Sequence, residues 1–254
     1  MNNTMDWLEL ISENYDDMNW LADNEAEIYG VIAQLLRERN MRSMQKAIDI
    51  LLLVLPDYVN SAEIKRWYKL CKRAYKLSQK RLTADPATEK FRQIYVFTPQ
   101  PAPTIGPRRP RSARINTREL YEMYVNLFMT RFYTRPERMT AQAIDSLLRL
   151  TGQINIPYYY HKIYQTLALI YNYFGEFDRA LDRLRMCHAY WSEQNNILEM
   201  ALTAYATAEA YLGKNNSGSA LRWLESAASL FDQIDLPEQQ AIMAAELAAL
   251  NRAA

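Results

Sequence analysis

The chain has 254 residues and a formal net charge of +1. It contains 30 alanines and 30 leucines but only five valines and six glycines. Glycine makes up about 7 per cent of an average protein, roughly three times its share in this chain. Strands and hairpin turns need valine and glycine, so this composition argues against a Rossmann or barrel enzyme and predicts an all-α protein.

No apolar stretch reaches the ~18–20 residues that span a bilayer, because the longest, residues 48–55, contains Asp49 and ends at Pro56. The first residues lack a basic segment followed by an apolar one, so we expect no secretory signal. We therefore expect a cytoplasmic protein with no membrane partner. Cys71 and Cys187 lie in apolar helical stripes and are predicted to be reduced and buried rather than paired.

Charge is distributed unevenly along the chain. Residues 1–60 carry 11 acidic and 4 basic side chains, a net of −7, and residues 61–118 carry 3 acidic and 15 basic side chains, a net of +12. Residues 119–254 carry 15 acidic and 11 basic side chains, a net of −4. Segregation of this kind concerns surfaces and association rather than the fold.

Residues 1–82 are predicted to form an N-terminal helical unit. Apolar side chains recur at helical spacing in residues 25–40, 43–55 and 61–82. Proline interrupts a helix because it lacks a backbone N–H, so the second of these helices is predicted to end at Leu55, before Pro56.

A basic region follows. The third helix carries five lysines along one face: Lys65, Lys69, Lys72, Lys76 and Lys80. Residues 83–116 contain six of the ten prolines and are predicted to form an extended linker. This linker carries four arginines: Arg108, Arg109, Arg111 and Arg114.

Three partners suit this basic region: an acidic protein, the chain's own acidic N-terminal part, or the phosphate backbone of a nucleic acid. We favour a protein partner, because prolines hold a segment extended for docking. Tyr68 and Tyr75 lie about two turns apart on the helix, too far to form a dense surface for stacking bases.

The second half of the chain repeats itself, and equivalent residues lie 40 positions apart. Pairs at this spacing are Tyr171 and Tyr211, Ala180 and Ala220, and Leu184 and Leu224. A less regular copy, with Tyr124 and Leu147, precedes them. Small residues such as Ala168 and Ala180 let antiparallel helices approach closely. The pattern therefore predicts that residues 117–254 form an α-solenoid of stacked helix hairpins.

This pattern resembles the tetratricopeptide repeat, with a small and an aromatic residue on helix A, a turn with glycine, and a spaced alanine and large residue on helix B. The 40-residue period exceeds the family's usual 34 and is similar to the long repeats of bacterial signalling and regulator proteins. The resemblance implies a superhelical scaffold with a concave protein-binding groove. Carried over by position, the groove residues are Lys162, Gln165, Leu169, Asn172, Tyr173, Leu202, Tyr205 and Glu209. For each of them the alternative is packing against a neighbouring helix.

Catalytic and metal-binding motifs are missing from this reading of the sequence. His161 and His188 are the two histidines, and no cysteine or histidine cluster has the spacing of a zinc site. Cys187 and His188 are neighbours on a predicted helix, where side chains point about 100° apart and cannot pair as nucleophile and base. We expect no catalytic residue, metal or cofactor.

The final helix, after Pro237, has apolar positions around much of its circumference. Leu247 and Leu250 are therefore predicted to dock against a partner or a second copy. Taken together, the sequence predicts a non-catalytic protein–protein interaction module, a scaffold or regulatory subunit of a larger complex. The alternative is a nucleic-acid-binding accessory factor that uses helix residues 65–81 and the arginines of residues 108–114.

Overall fold

The computed structural model describes residues 4–38, 40–58, 64–79, 117–134, 139–153 and 156–253. Within these ranges the regular structure is α-helical and contains no strand, so the prediction of an all-α protein is confirmed. The described residues fall into two compact units, one from residues 4–79 and 117–153 and the other from residues 156–253.

The first unit is built around one helix. Its helices are α1 (Thr4–Asn14), α2 (Met18–Asp23), α3 (Glu25–Arg37), α4 (Met41–Tyr58), α5 (Ile64–Gln79), α6 (Thr117–Thr134) and α7 (Ala141–Gln153). Helix α4 contacts α1, α3, α5, α6 and α7. Residues 50–55 of α4 are buried in succession because the sequence there is apolar on every face of the helix.

Helix α4 continues past the proline at which it was predicted to end. Pro56 lies inside the helix, which extends to Tyr58. Because proline has no N–H, the carbonyl of Leu52 lacks its usual helical donor. The hydroxyl of Tyr124 on α6 donates to that buried carbonyl at 2.9 Å. A side chain from another helix therefore supplies the donor that proline lacks, and the helix continues to Tyr58.

Helices α6 and α7 pack in the first unit, whereas the repeat pattern predicts that residues 117–153 belong with the repeats. Polar contacts to α4 accompany this packing. Arg131 on α6 is 4% exposed and forms an ion pair with Asp49 at 2.7 Å. On α7, Ser146 donates to the carbonyl of Leu53 at 3.3 Å. Both contacts join positions that are far apart in the chain, and a local repeat pattern does not predict such contacts.

The second unit consists of five helices of equal length. They are α8 (Pro157–Tyr173), α9 (Phe177–Glu193), α10 (Ile197–Gly213), α11 (Ser217–Gln233) and α12 (Pro237–Ala253). Their first residues are 20 positions apart, so the 40-residue period of the sequence is two helices. Each helix packs on the next along the chain, and α8 also contacts α10.

The turns between these helices share a residue in the left-handed region. The middle residue of each three-residue turn has a positive φ: 78° at Gly175, 51° at Asn195, 57° at Asn215 and 50° at Asp235. Glycine, asparagine and aspartate tolerate this left-handed region better than other residues. At the first turn, the N–H of Gly175 donates to Asn172 O, and the N–H of Glu176 donates to Tyr171 O. This pair of bonds is a Schellman motif, which satisfies the last carbonyls of a helix.

The third residue of each of the two middle turns also begins the next helix. The side chain of Asn196 accepts from the N–H of Glu199, and that of Asn216 accepts from the N–H of Ser219. One residue thus closes the Schellman motif and caps the following helix. The sharing of this residue keeps the turn to three residues.

Helix α10 is the central helix of the second unit. Residues 201–208 are buried in succession, because α8, α9 and α11 all contact this helix. The flanking helices α9 and α11 bury one stripe each, at Ala180, Leu184, Cys187 and Trp191, and at Ala220, Leu224, Ala227 and Phe231. At the end of α10, a Cβ on Gly213 would overlap the ring of Phe177, so glycine there allows close approach of α9.

The left-handed turn predicts opposite effects of two substitutions at Asn195. Asn195→Ala should lower the free energy of unfolding by about 1–2 kcal/mol, because alanine has a steric penalty at positive φ. Asn195→Gly should leave stability equal or slightly higher. Urea unfolding followed by circular dichroism measures both. Equal stability of the two variants would contradict the left-handed turn.

The hydrogen bond of the Tyr124 hydroxyl predicts that substitutions at Tyr124 and Pro56 have coupled effects on stability. Tyr124→Phe should cost about 1–3 kcal/mol, because the buried Leu52 carbonyl loses its donor. Pro56→Ala supplies a helical N–H to the same carbonyl, so Tyr124→Phe should cost much less in that background. A double-mutant cycle by urea unfolding measures this coupling. If the two effects simply add, Tyr124 does not replace the donor that proline lacks.

Candidate interaction surfaces

Three polar residues of the predicted groove bind a neighbouring helix. Lys162 forms an ion pair with Glu199 at 2.5 Å. Gln165 donates to the hydroxyl of Thr203 at 3.3 Å, and Asn172 donates to the carbonyl of Ala206 at 2.8 Å. These bonds run from α8 to α10 at successive points along the two helices. In this structure the polar side chains therefore hold the two helices together.

Most of the other predicted groove residues are also inside the unit. Leu169, Leu202 and Tyr205 are buried, and Glu209 is half-buried. Burial raises the pKa of the Tyr205 hydroxyl, and the nearby Glu209 carboxylate adds to this shift. Tyr173 is 45% exposed, at the end of α8. The buried groove residues thus pack against neighbouring helices, which is the alternative to partner binding. Partner binding by this groove stays a prediction.

An aromatic surface that the repeat pattern does not predict lies where the start of α8 meets the end of α9. We call Tyr158, Tyr160, His161, Tyr164, Tyr190 and Trp191 the aromatic cluster. The rings of His161 and Tyr190 stack with their centroids 4.0 Å apart, and those of Tyr160 and Tyr164 lie 4.3 Å apart. Tyr158 meets Trp191 edge to face at 5.4 Å. Five of the six residues are half-buried, and Trp191 is buried.

The aromatic cluster combines apolar area with polar tips. The guanidinium of Arg183 lies 4.6 Å from the centre of the Tyr164 ring, a cation–π arrangement. Tyrosine, tryptophan and arginine are the residues enriched at energetically important positions of protein interfaces. The signal in the sequence is the run of three tyrosines and a histidine after Pro157, followed at the end of the next helix by Tyr190 and Trp191.

The lysines of α5 face solvent. Lys65, Lys69, Lys72 and Lys76 are exposed. The other side of α5 packs on α3, where the indole N–H of Trp67 donates to Glu25 at 2.8 Å. Of the predicted basic residues, Lys80, Arg108, Arg109, Arg111 and Arg114 lie outside the described residues, as does the predicted linker of residues 83–116.

The last helix has a mixed surface. Met243 is buried, while Leu247 and Leu250 are half-buried. The exposed positions of this helix between residues 241 and 249 are alanines: Ala241, Ala244, Ala245, Ala248 and Ala249. Docking through Leu247 and Leu250 stays a prediction, and the apolar area available to it consists mainly of small side chains.

The two cysteines are buried and free, as predicted. The thiol of Cys187 donates to the carbonyl of His161 at 3.3 Å, and burial raises the pKa of this thiol to about 12. His188 meets the ring of Trp223 edge to face at 5.2 Å. Within the described ranges, no group of three or more histidine, cysteine, aspartate or glutamate residues is placed to hold a metal ion.

A cavity of about 330 Å³ lies in the first unit. Its described lining includes both apolar and polar residues: Ser12, Asp49, Leu52, Leu53, Arg131, Met139, Thr140 and Ala143. The Asp49–Arg131 ion pair forms part of the wall, so the two opposite charges neutralise each other there. The volume is at the lower end of the range found for small-molecule pockets.

Comparison with known proteins gives no family assignment. No family model matches the chain, and no curated protein matches it. None of the helices in the described part of the chain is both long and apolar enough to cross a membrane.

The aromatic cluster predicts a loss of stability in acid. Burial lowers the pKa of His161, although Glu193 acts in the opposite direction, and no described residue forms a hydrogen bond with the buried Nδ1 atom. The unfolded chain, with a histidine pKa of about 6.5, then binds the proton more tightly than the folded chain does. The stabilisation is complete above that value and is lost as the pH falls through the folded pKa.

The urea midpoint should therefore decrease between about pH 7.5 and about pH 5. His161→Phe keeps a ring against Tyr190 and removes the titration, so its midpoint should decrease less. The pKa of His188 is also lowered by burial, so part of the dependence should remain in this variant. An unchanged pH dependence in His161→Phe would show that His161 does not titrate in this way.

Proposed function

We propose that this chain is a non-catalytic protein–protein interaction module, a scaffold or regulatory subunit of a larger complex. The observation that carries this proposal is the register of the second unit, in which five helices of equal length begin at every twentieth position from Pro157 to Pro237. Successive helices of equal length that each pack on the next are typical of helical repeat proteins, which bind other proteins through extended surfaces. We interpret the second unit as a segment of an α-solenoid similar to long tetratricopeptide repeats.

The aromatic cluster is the surface that we assign to the partner protein. Its tyrosines are half-buried, so each stays partly exposed while neighbouring rings restrain its position. Rigid aromatic side chains lose little conformational entropy when a partner covers them. Arg183 adds a charge at the edge of this surface, beside Tyr164. The cluster therefore combines the properties of an anchor site, whereas most of the predicted groove is engaged in packing.

A capture experiment with two matched variants tests this assignment. The full-length tagged protein is used to capture partners from a lysate of its source cells, with quantitative mass spectrometry. Tyr160→Ser/Tyr190→Ser should reduce recovery of the specific partner about tenfold or more, because loss of an anchor residue commonly costs over about 1.4 kcal/mol. Circular dichroism checks that the variant remains helical.

The control is Tyr173→Ser/Phe174→Ser, which removes two exposed aromatic rings outside the cluster. We expect it to bind as well as the parent chain. If this control loses the partner and the cluster variant retains it, the partner binds the predicted groove near Tyr173 instead. If both variants capture the same proteins as the parent chain, neither surface carries the interaction.

A second candidate is a nucleic-acid-binding accessory factor, which the exposed lysines of α5 favour. Lysines on one helix face can follow a phosphate backbone, with affinity that falls as salt increases. The same capture experiment with nuclease treatment distinguishes this candidate, because proteins bridged by nucleic acid are then lost. We rank it second because Lys72 lies over the ring of Tyr68, 5.6 Å from its centre, where a base would have to stack.

A further inference from the structure

The exposed charge of α5 is a row of lysines with no ion pair. Lys65, Lys69, Lys72 and Lys76 form none with any residue in the described ranges. The two arginines of the helix are engaged elsewhere in the unit. Arg66 lies 3.8 Å from the centre of the Tyr29 ring, and Arg73 donates to the carbonyl of Leu36 at 3.3 Å. The surface of α5 therefore presents mainly lysine ammonium groups.

A row of acids in the same unit is also exposed and lacks ion pairs. Glu9 and Glu13 are one turn apart on α1, and Asp16 lies in the turn that follows it. None of the three forms an ion pair in the described part of the chain. Close to them in the sequence, Leu10 is 42% exposed and Met18 is 53% exposed. The acids are therefore accompanied by apolar area that a second molecule can cover.

The two rows have opposite charge and the same spacing. Lys65, Lys69 and Lys72 follow the intervals of four and three residues that also separate Glu9, Glu13 and Asp16. A helix rises about 1.5 Å per residue, so the step of four residues from Glu9 to Glu13 on α1, and from Lys65 to Lys69 on α5, corresponds to about 6.0 Å along each helix. Asp16 follows in the turn after α1. Two elements laid side by side can then form successive ion pairs in register.

We propose that a second copy of this chain occupies the lysine row, with its Glu9, Glu13 and Asp16 along Lys65, Lys69 and Lys72. Each copy carries both rows, so the contact is self-complementary and can be made twice in a closed dimer. Leu10 and Met18 supply apolar area beside the ion pairs. Exposed ion pairs are individually weak and screened by salt, so the association is weak and depends on protein concentration and ionic strength.

Nucleic acid suits the lysine row less well. Binding of single strands without sequence preference combines a basic surface with aromatic rings open for stacking. Tyr68 is half-buried and Lys72 lies over its ring, while the arginines of α5 are turned to other contacts. A row of acids with matching intervals, already present on the same chain, fits these observations more closely.

Charge reversal on the full-length protein tests the proposal. Sedimentation velocity over a range of concentrations should show a monomer–dimer equilibrium at low ionic strength. It should shift to monomer in about 1 M salt, where the Debye length is about 3 Å. Lys65→Glu/Lys69→Glu/Lys72→Glu should weaken self-association roughly tenfold or more. Glu9→Lys/Glu13→Lys/Asp16→Lys should do the same, because it removes the opposite row.

An equimolar mixture of these two variants should associate again, because the lysines introduced in one variant then face the glutamates introduced in the other. Association of the mixture would also show that both variants are folded and able to bind. The control is Arg185→Glu/Arg222→Glu/Arg252→Glu, which makes the same change of net charge as the lysine variant at exposed positions of the other unit. It should associate like the parent chain.

Three results would overturn the proposal. The first is a parent chain that stays monomeric at low ionic strength at every concentration. The second is a mixture of the two reversed variants that fails to associate. The third is association that disappears after nuclease treatment, which would assign the lysine row to nucleic acid. None of them bears on capture of a partner through the aromatic cluster, which lies in the other unit.

Discussion

The left-handed residue in the middle of each three-residue turn sets the geometry of residues 157–253. In the first three of these turns one residue adopts positive φ and the next completes the Schellman motif, directly before the new helix. Asn195 and Asn196 divide these two tasks, and Asn215 and Asn216 repeat the division. Because every turn has the same length and every helix has the same length, equivalent side chains recur at the same height in alternate helices. The repeated burial in α9 and α11 follows from this spacing.

Each unit also contains one helix that is buried on nearly all sides, α4 in the first and α10 in the second. Any polar group that such a helix does not pair internally must be paired by a neighbouring helix, because water does not reach it. Tyr124 satisfies the carbonyl that Pro56 leaves free, and Asn172 donates to the carbonyl of Ala206. The Tyr124 contact is required by burial, because the Leu52 carbonyl has no donor within its own helix and would be left unpaired without it. The carbonyl of Ala206 lies inside α10, so the bond from Asn172 adds a second donor there.

This use of polar side chains inside the units changes which surfaces remain for function. Lys162, Gln165 and Asn172 on α8 contact α10, so we assign partners to other surfaces, the aromatic cluster and the two charged rows of the first unit. We therefore propose two separate interactions: a partner protein at the cluster and a second copy at the rows. The first depends on apolar area and responds little to salt, whereas the second is electrostatic and is screened.

The sequence by itself determined the helical class, the buried cysteines and the exposed row of α5, because composition and helical periodicity are local properties. The 40-residue period is also visible in the sequence. The 20-residue spacing of the turns is visible there too, in Asn195 and Asn215, and the structure shows that these residues are the middle residues of two turns. Only the tertiary structure decided that α6 and α7 pack on α4, that α4 continues through Pro56, and that Lys162 and Gln165 bind α10. Each of these depends on contacts between residues far apart in the chain. A periodic pattern shows which face of a helix is buried, but the identity of the helix that buries it is set by complementary hydrogen bonds and packing across the fold.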